Sequence, residues 1–150
     1  MIRIGVFSDT HHYSGLLDRI LEQLNGCDYL VFLGDGEDDV WELNRREHFL
    51  NVHGNCDFLP SAPAQRITEL EGVKILMTHG HLYNVKHSRL QLRLKAQEIG
   101  AQLVLYGHTH TQLAETDNGI TLLNPGAAAH GRYAIVEIEN AKISYTFHTV

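Results

Sequence analysis

Residues 2–12 read IRIGVFSDTHH, and the order of apolar and polar residues in this stretch indicates the type of fold. Ile2 to Phe7 is apolar enough for a buried strand, and it ends where Ser8, Asp9 and Thr10 follow. Asp9 is therefore expected at a strand tip. Apolar residues then recur at helical spacing before the stop signal of Asn25 and Gly26, at Leu16, Leu17, Ile20, Leu21 and Leu24. The opening thus predicts a strand, a polar tip and an amphipathic helix.

The same unit recurs along the first half of the chain. Tyr29 to Leu33 is a second apolar run ending in Gly34 and Asp35, and the acidic segment from Glu37 predicts the start of a second helix. Phe49 to Val52 predicts a third short strand, after which Gly54 and Asn55 follow. The first half is therefore predicted as β-α-β-α-β.

The second half is richer in strands. Arg66 to Leu70 and Val73 to Met77 predict a hairpin-like pair, Ser88 to Ile99 a helix, and Leu103 to Tyr106 a strand. Four short alternating runs complete the chain, at Gln112 to Glu115, Ile120 to Leu123, Tyr133 to Ile138 and Ile143 to His148. We predict one α/β domain spanning residues 1–150, with mixed strand pairing and helices outside.

Composition narrows the functional classes. The chain of 150 residues is 43% hydrophobic and 20% charged, which is typical of a globular protein. No apolar run reaches the length of a bilayer span and no export signal follows Met1, so we expect a cytoplasmic protein without a membrane partner. Two cysteines are too few for a disulfide framework. The net charge of −6 disfavours nucleic acid as a partner.

The chemistry is concentrated after five predicted strands. Each strand is followed by Asp, Asn or His side chains that offer oxygen or nitrogen: Asp9 with His11, Asp35, Asn55, His79, and His108 with His110. Strand ends in α/β sheets converge on one edge, so these seven side chains are expected to meet. Such ligands suit Mn, Fe, Co, Ni or Zn, and seven are too many for one catalytic ion. Two divalent ions about 3.5 to 4 Å apart would catalyse displacement at phosphorus.

Two patterns of spacing support a shared site. The pairs Asp9-x-His11 and His108-x-His110 are expected to project from one side of an extended segment, so that each pair serves one cluster. Glycines before Asp35, Asn55 and His108 would let the backbone approach the ions closely. Any single motif also fits a helix cap or a turn. The metal site is therefore predicted by the five motifs as a set.

The motifs resemble those of the calcineurin-like metallophosphoesterase superfamily. The pattern D-x-H, GD, GN-x-D, a GH-type motif and GH-x-H is matched by residues 9–11, 34–35, 54–57, 79–81 and 107–110 over nearly the whole chain. The compact length and the GNCD form look like the small phosphodiesterases of the YfcE type. The resemblance implies a four-layer α-β-β-α sandwich of the metallophosphoesterase type, in which two mixed sheets are flanked by helices.

The resemblance also implies roles for the ligands. Asp9, His11 and His110 would hold one metal, Asn55, His79 and His108 the other, and Asp35 would bridge them. The ions would be two divalent metals, with manganese preferred. A bridging water or hydroxide would be the nucleophile.

The chain departs from the family pattern at Cys56, where many members carry a histidine that resembles a general acid. His12 or His81 is an alternative proton donor, and Asp57 is expected to hydrogen-bond a neighbouring ligand. The candidate catalytic residues are thus Asn55, Asp57 and His81. Candidate substrate contacts are His12, Cys56, Asn124, Gly126 and His130, with Asn124-Pro125-Gly126 resembling a loop near the family's site.

The leading hypothesis is hydrolysis of a small phosphodiester, or of a monoester with a good leaving group. The alternative is a non-catalytic protein-interaction scaffold on the same fold, the role of the retromer subunit that resembles these enzymes. The net negative charge of −6 disfavours a nuclease. The sequence leaves a homo-oligomer open.

Overall fold

A computed structural model of the protein describes residues 1–12 and 14–150. In these ranges the strands are β1 (Ile2–Phe7), β2 (Tyr29–Phe32), β3 (Phe49–Asn51), β4 (Gln65–Leu70), β5 (Val73–Thr78), β6 (Leu103–Leu105), β7 (Gln112–Asp117), β8 (Ile120–Pro125), β9 (Arg132–Glu139) and β10 (Lys142–Thr149). The α-helices are α1 (Ser14–Gln23) and α2 (Leu90–Ile99). Short 3₁₀ segments cover Glu37–Arg45, His81–Tyr83 and Ala128–His130.

The strands form two mixed sheets. The first has the order β10-β9-β1-β2-β3 and the second the order β4-β5-β6-β8-β7. Strands β1, β2 and β3 are parallel, as are β5, β6 and β8, and antiparallel strands complete each sheet. Parallel central strands place their carboxyl ends at one edge of each sheet.

Alternating side chains build four layers. Ile4 and Val6 of β1 belong to the core between the sheets, whereas Phe7 packs outward with Ile20 of α1. On the outer face of the second sheet, Leu92 of α2 packs with Val104 of β6. The α-β-β-α arrangement of two mixed sheets is therefore confirmed. None of the helices in the described ranges is long and apolar enough to cross a membrane.

The segment predicted as a helix from Glu37 differs from expectation, because Glu37–Arg45 is 3₁₀ rather than α-helical. Two of its carboxylates, those of Glu37 and Asp39, are engaged outside the segment. Glu37 accepts hydrogen bonds from the backbone of Ser61 and Ala62, and Asp39 accepts one from the backbone of His12. These tertiary contacts hold the segment in tighter turns than sequence periodicity predicts.

Candidate metal centre

The strand ends bring two groups of ligand-type side chains together. Asp9, His11 and His110 form one group, and Asp35, His79 and His108 form the other. Within each group the ligand atoms lie within 4.8 Å of one another. The groups adjoin, since His79 Nε2 is 3.9 Å from Asp9 Oδ1. Six of the seven predicted ligands therefore converge.

The first group surrounds a buried carboxylate oxygen. Asp9 Oδ1 lies 3.2 Å from His110 Nε2 and 3.5 Å from His11 Nε2, yet it accepts no well-directed hydrogen bond from the described residues. The other oxygen, Oδ2, accepts a hydrogen bond from Ser8 Oγ at 2.6 Å. A buried carboxylate oxygen without a donor is unfavourable unless a cation satisfies it. The donor set of this group therefore fits a divalent metal.

The second group is oriented by the backbone. His79 Nδ1 donates a hydrogen bond to the Leu33 carbonyl oxygen at 2.7 Å. Its Nε2 consequently points at Asp35 Oδ2, 3.2 Å away, and at His108 Nδ1, also 3.2 Å away. Without a proton on Nε2, three lone pairs converge there, so either a proton or a metal ion must lie between them. This group also fits a metal.

The pKa values reflect the mutual influence of these side chains. Burial opposes ionisation of Asp35, but the hydrogen bond and charge of His79 hold its pKa well below the usual range. Burial likewise disfavours charged His79, yet Asp35 and Asp9 raise its pKa overall. Asp9 also raises the pKa of His110. Burial and the charge of His79 lower the pKa of His108 to about 4.

The predicted geometry of the paired motifs is wrong. Asp9 and His11 have φ of 56° and 44°, and His108 and His110 have φ of 72° and 64°, so neither motif is extended. His108 and His110 enter different groups, whereas Asp9 and His11 share one as predicted. Left-handed backbone is uncommon outside glycine, although Asp and His adopt it more readily than most residues, and such conformations commonly collect at functional sites.

The glycines before the ligands allow loops to touch. A Cβ at Gly54 would lie 2.1 Å from Asp35 Oδ1, and one at Gly107 would lie 2.3 Å from Ser8 Oγ. Both distances are impossible for a side chain. The sequence predicts that these glycines let the backbone approach the ions. Among the described residues, the close approaches are between the strand-end loops themselves.

Asp57 ties two of these loops together. Its carboxylate accepts four backbone hydrogen bonds of 2.8 to 3.0 Å, from Gly54, Asp35, Gly36 and Glu37. Burial alone would raise its pKa, but these bonds lower it. The predicted contact with a neighbouring ligand is present, although it is made to the backbone of Asp35. Asp57 is fully engaged in this support.

Other predicted residues surround the two groups. Asn55 is exposed and its amide lies 3.5 Å from Cys56 Sγ, while the Cys56 backbone donates to Asp35 Oδ1. His12 is exposed and its Nδ1 is 3.1 Å from Asp39 Oδ1. The ring centre of His81 is 5.5 Å from that of His79, and the ring centre of His130 is 6.1 Å from that of His110.

Asn124 lies in a strand rather than in a loop, whereas Gly126 follows the end of that strand. Asn124 belongs to β8, is fully buried, and donates hydrogen bonds to Gly107 O and Thr109 Oγ1. Its Oδ1 accepts a hydrogen bond from Gly126 N. The expectation of a loop is thus corrected for Asn124 and Pro125, because pairing of β8 with β7 extends through Pro125 and only Gly126 lies beyond it. Asn124 supports the turn that carries His108.

Sequence reasoning missed Ser8, Glu37 and Asp39, whose carboxylate or hydroxyl groups orient the loops around the site. From the sequence, the acidic run after Gly36 predicts only a helix start. An Asp or Glu beside a metal motif is also a candidate for binding loop backbone, which is the signal that was available. A pocket of about 150 Å³ adjoins the groups, and its lining includes His11, His12, Asp35, Cys56 and Phe58.

Comparison with known families shows which superfamily the chain belongs to. The model described as the calcineurin-like phosphoesterase superfamily domain matches residues 2–141. The chain belongs to this superfamily. Phosphodiesterase YfcE of Escherichia coli strain K12 is 31% identical over 156 residues, covering 86% of this chain and 80% of that protein. The predicted resemblance to YfcE-type proteins is confirmed, and family membership together with the two ligand groups implies divalent metals.

Solved structures extend the comparison. A predicted phosphoesterase from Streptococcus pneumoniae TIGR4 is 32% identical with a TM-score of 0.83, covering 99% of this chain and 89% of that one. Vps29 from Entamoeba histolytica, solved in complex with zinc, is 20% identical with a TM-score of 0.78, covering 99% and 98% of the two chains. The first likeness confirms the metallophosphoesterase type of sandwich, and the second concerns the fold alone.

Proposed function

We propose that this protein is a phosphodiesterase that uses two divalent ions, with manganese preferred, to hydrolyse small phosphate esters. Asp9, His11 and His110 would hold one ion, and Asn55, His79 and His108 the other, with Asp35 shared. The observation that carries the proposal is the buried Asp9 Oδ1, which faces imidazole nitrogens without a well-directed donor. The YfcE relative supports the choice of diesters.

When bound, the ions would activate water and stabilise the attacking and leaving oxygens at phosphorus. Side chains and backbone of the protein itself would orient the metal ligands for this reaction. Leu33 O directs His79 toward Asp35, and Asp57 holds the Asp35 turn against Gly54. Because burial and nearby carboxylates such as Asp35 raise the pKa of Cys56, its thiol would protonate a leaving group poorly.

The deciding experiment couples metal analysis to a panel of cyclic nucleotides, linear diesters and monoesters. We expect two ions per chain and turnover that disappears on chelation and returns with manganese. Asp35→Asn and His79→Ala are expected to lose activity. Retention of phosphoesterase activity by both variants would overturn the proposed mechanism.

The scaffold alternative predicts no hydrolysis of any ester in the panel and less than one ion per chain. Metal content alone is weaker evidence, because Vps29, which shares the fold, is also described in complex with zinc. Hydrolysis is therefore the readout that separates the two functions. A single domain over residues 1–150 and a cytoplasmic location remain predictions.

A further inference from the structure

Phe58 has an unusual position for a large apolar side chain. It is 88% exposed, the highest value among the large hydrophobic side chains of the described residues. It also lines the pocket beside His11, Asp35 and Cys56. An exposed aromatic ring at the rim of a polar pocket is a candidate contact for an apolar part of a ligand.

The loop that carries Phe58 is anchored on both sides. Asp57 accepts four backbone hydrogen bonds on one side. On the other side, Ala62 donates to Glu37 Oε1 at 2.7 Å and accepts a hydrogen bond from His53 Nδ1 at 2.8 Å. A backbone anchored in this way loses little conformational entropy when a ligand binds, so the ordering cost is confined to the Phe58 ring itself.

The charges around the pocket indicate which kind of ligand group the Phe58 ring would contact. Among the described residues, the pocket lining contains no lysine or arginine, whereas Glu37, Asp38 and Asp57 are acidic. Asp38 is exposed. Beyond the two ligand groups, a second phosphate on the ligand would meet these carboxylates without a lysine or arginine to balance its charge. A neutral, flat group is favoured instead.

We propose that Phe58 is a platform for the leaving group and that the site selects phosphate esters of aromatic alcohols. This inference rests on the proposed function and names its substrate class. In the reaction, the oxygen of water bonds to phosphorus and the bond from phosphorus to the aryl oxygen breaks. The electron pair stays on the aryl oxygen, and the proton of water passes to solvent. An aryl oxygen carries negative charge well, which suits a site with cysteine at position 56.

Binding of non-hydrolysable analogues tests the platform without relying on turnover. Phenylphosphonate and methylphosphonate would be titrated calorimetrically into manganese-loaded protein. We expect wild type to bind the phenyl compound about fivefold more tightly, as stacking energies suggest. Phe58→Ala should abolish that preference and Phe58→Tyr should retain it. Leu59→Ala is the matched control, because Leu59 is 81% exposed on the same loop.

Kinetics provide the second readout. The phenyl ester of a phosphate would be compared with its hexafluoroisopropyl ester. Phenol and hexafluoroisopropanol, the two leaving alcohols, are of similar acidity but differ in aromaticity. We expect Phe58→Ala to lower kcat/KM about fivefold for the phenyl ester and less than about twofold for the other. Equal losses for both esters would mean that Phe58 only supports the loop, and would overturn the inference.

The outcomes separate this inference from the proposed function. Hydrolysis of both esters without a phenyl preference in binding or in rate would overturn the platform and leave the phosphodiesterase standing. Selective binding of phenylphosphonate without hydrolysis of any ester would retain the platform and overturn the proposed function. Binding of neither phosphonate, with no hydrolysis, would overturn both.

Discussion

His79 and Leu33 are 46 residues apart, yet His79 Nδ1 donates a hydrogen bond of 2.7 Å to the Leu33 carbonyl oxygen. His79 follows β5 in one sheet and Leu33 follows β2 in the other, so this contact links the two sheets at the candidate metal centre. It leaves Nε2 to face Asp35. The orientation of one predicted ligand is therefore set by a strand on the opposite side of the core.

Removing this imidazole should remove one metal ion. We expect His79→Ala to bind about one ion per chain instead of two and to lose at least about 100-fold in kcat/KM, because a ligand and its backbone anchor disappear together. Metal analysis and esterase assays measure both effects, with thermal melting to verify folding. His87→Ala is the control, since this histidine is exposed and lies outside both groups. Two tightly bound ions in His79→Ala would contradict the ligand assignment.

Metal binding should release protons near neutral pH. Nearby carboxylates raise the pKa of His79 and of His110, so in the metal-free protein both tend to be protonated at pH values where a free histidine is not. His108, with a pKa of about 4, is already neutral. Metal affinity should therefore fall as pH is lowered through the raised pKa values. Calorimetry at pH 7 in two buffers of different ionisation enthalpy should give release of at least about one proton per chain. Binding without proton release would refute this expectation.

Asp57→Asn should destabilise the fold by about 2 kcal/mol, because an amide nitrogen would face backbone donors that the carboxylate accepts. The folded-state pKa of Asp57 is lowered, so its contribution is complete above the unfolded pKa of about 3.9 and is lost as pH falls through the folded value. The difference in free energy of unfolding between wild type and variant should accordingly shrink below about pH 4. Urea titrations across pH measure it. The exposed Asp38→Asn is the control, and a pH-independent difference would exclude the charge as the cause.

Cys56→His should change how the rate depends on the leaving group. The wild-type thiol is a weak acid, so its rate should depend steeply on the pKa of the departing alcohol. A histidine in this position would donate a proton, flatten that dependence and accelerate esters of poor leaving groups about tenfold. A series of substituted phenyl esters measures the slope, with Cys56→Ala expected to match wild type. A flat wild-type slope, with chemistry rate-limiting, would assign proton donation to another residue.

Much of the fold was predictable because it depends on local patterns. Apolar alternation in Ile2 to Phe7 places Ile4 and Val6 between the sheets, and polar residues directly after β1, β2 and β5 mark the edge where Asp9, Asp35 and His79 meet. The helical spacing of Leu17, Ile20 and Leu24 likewise predicts the face that packs on the first sheet. These features depend on residues close in the chain.

Other features were not predictable from spacing. His108 and His110 enter different ligand groups, whereas Asp9 and His11, whose backbone is also left-handed, share one. Spacing and backbone conformation therefore do not set this division, which depends on the surrounding tertiary contacts. Asn124 was expected at the substrate, but it is buried and holds the Gly107 turn. Its role depends on where β8 lies beside β6, which is a matter of sheet order.

The sequence alone determined the four-layer sandwich, the family and six of the side chains that meet at the strand ends. Tertiary structure decided how those side chains are divided between two groups, which atom of His79 faces Asp35, and that Phe58 stands at the pocket rim. The physical reason is how far apart in the chain the interacting residues lie. Strands and helices follow from periodicity over a few residues, whereas ligand geometry depends on hydrogen bonds between loops that are distant in the chain, such as those of Asp57 and Asn124.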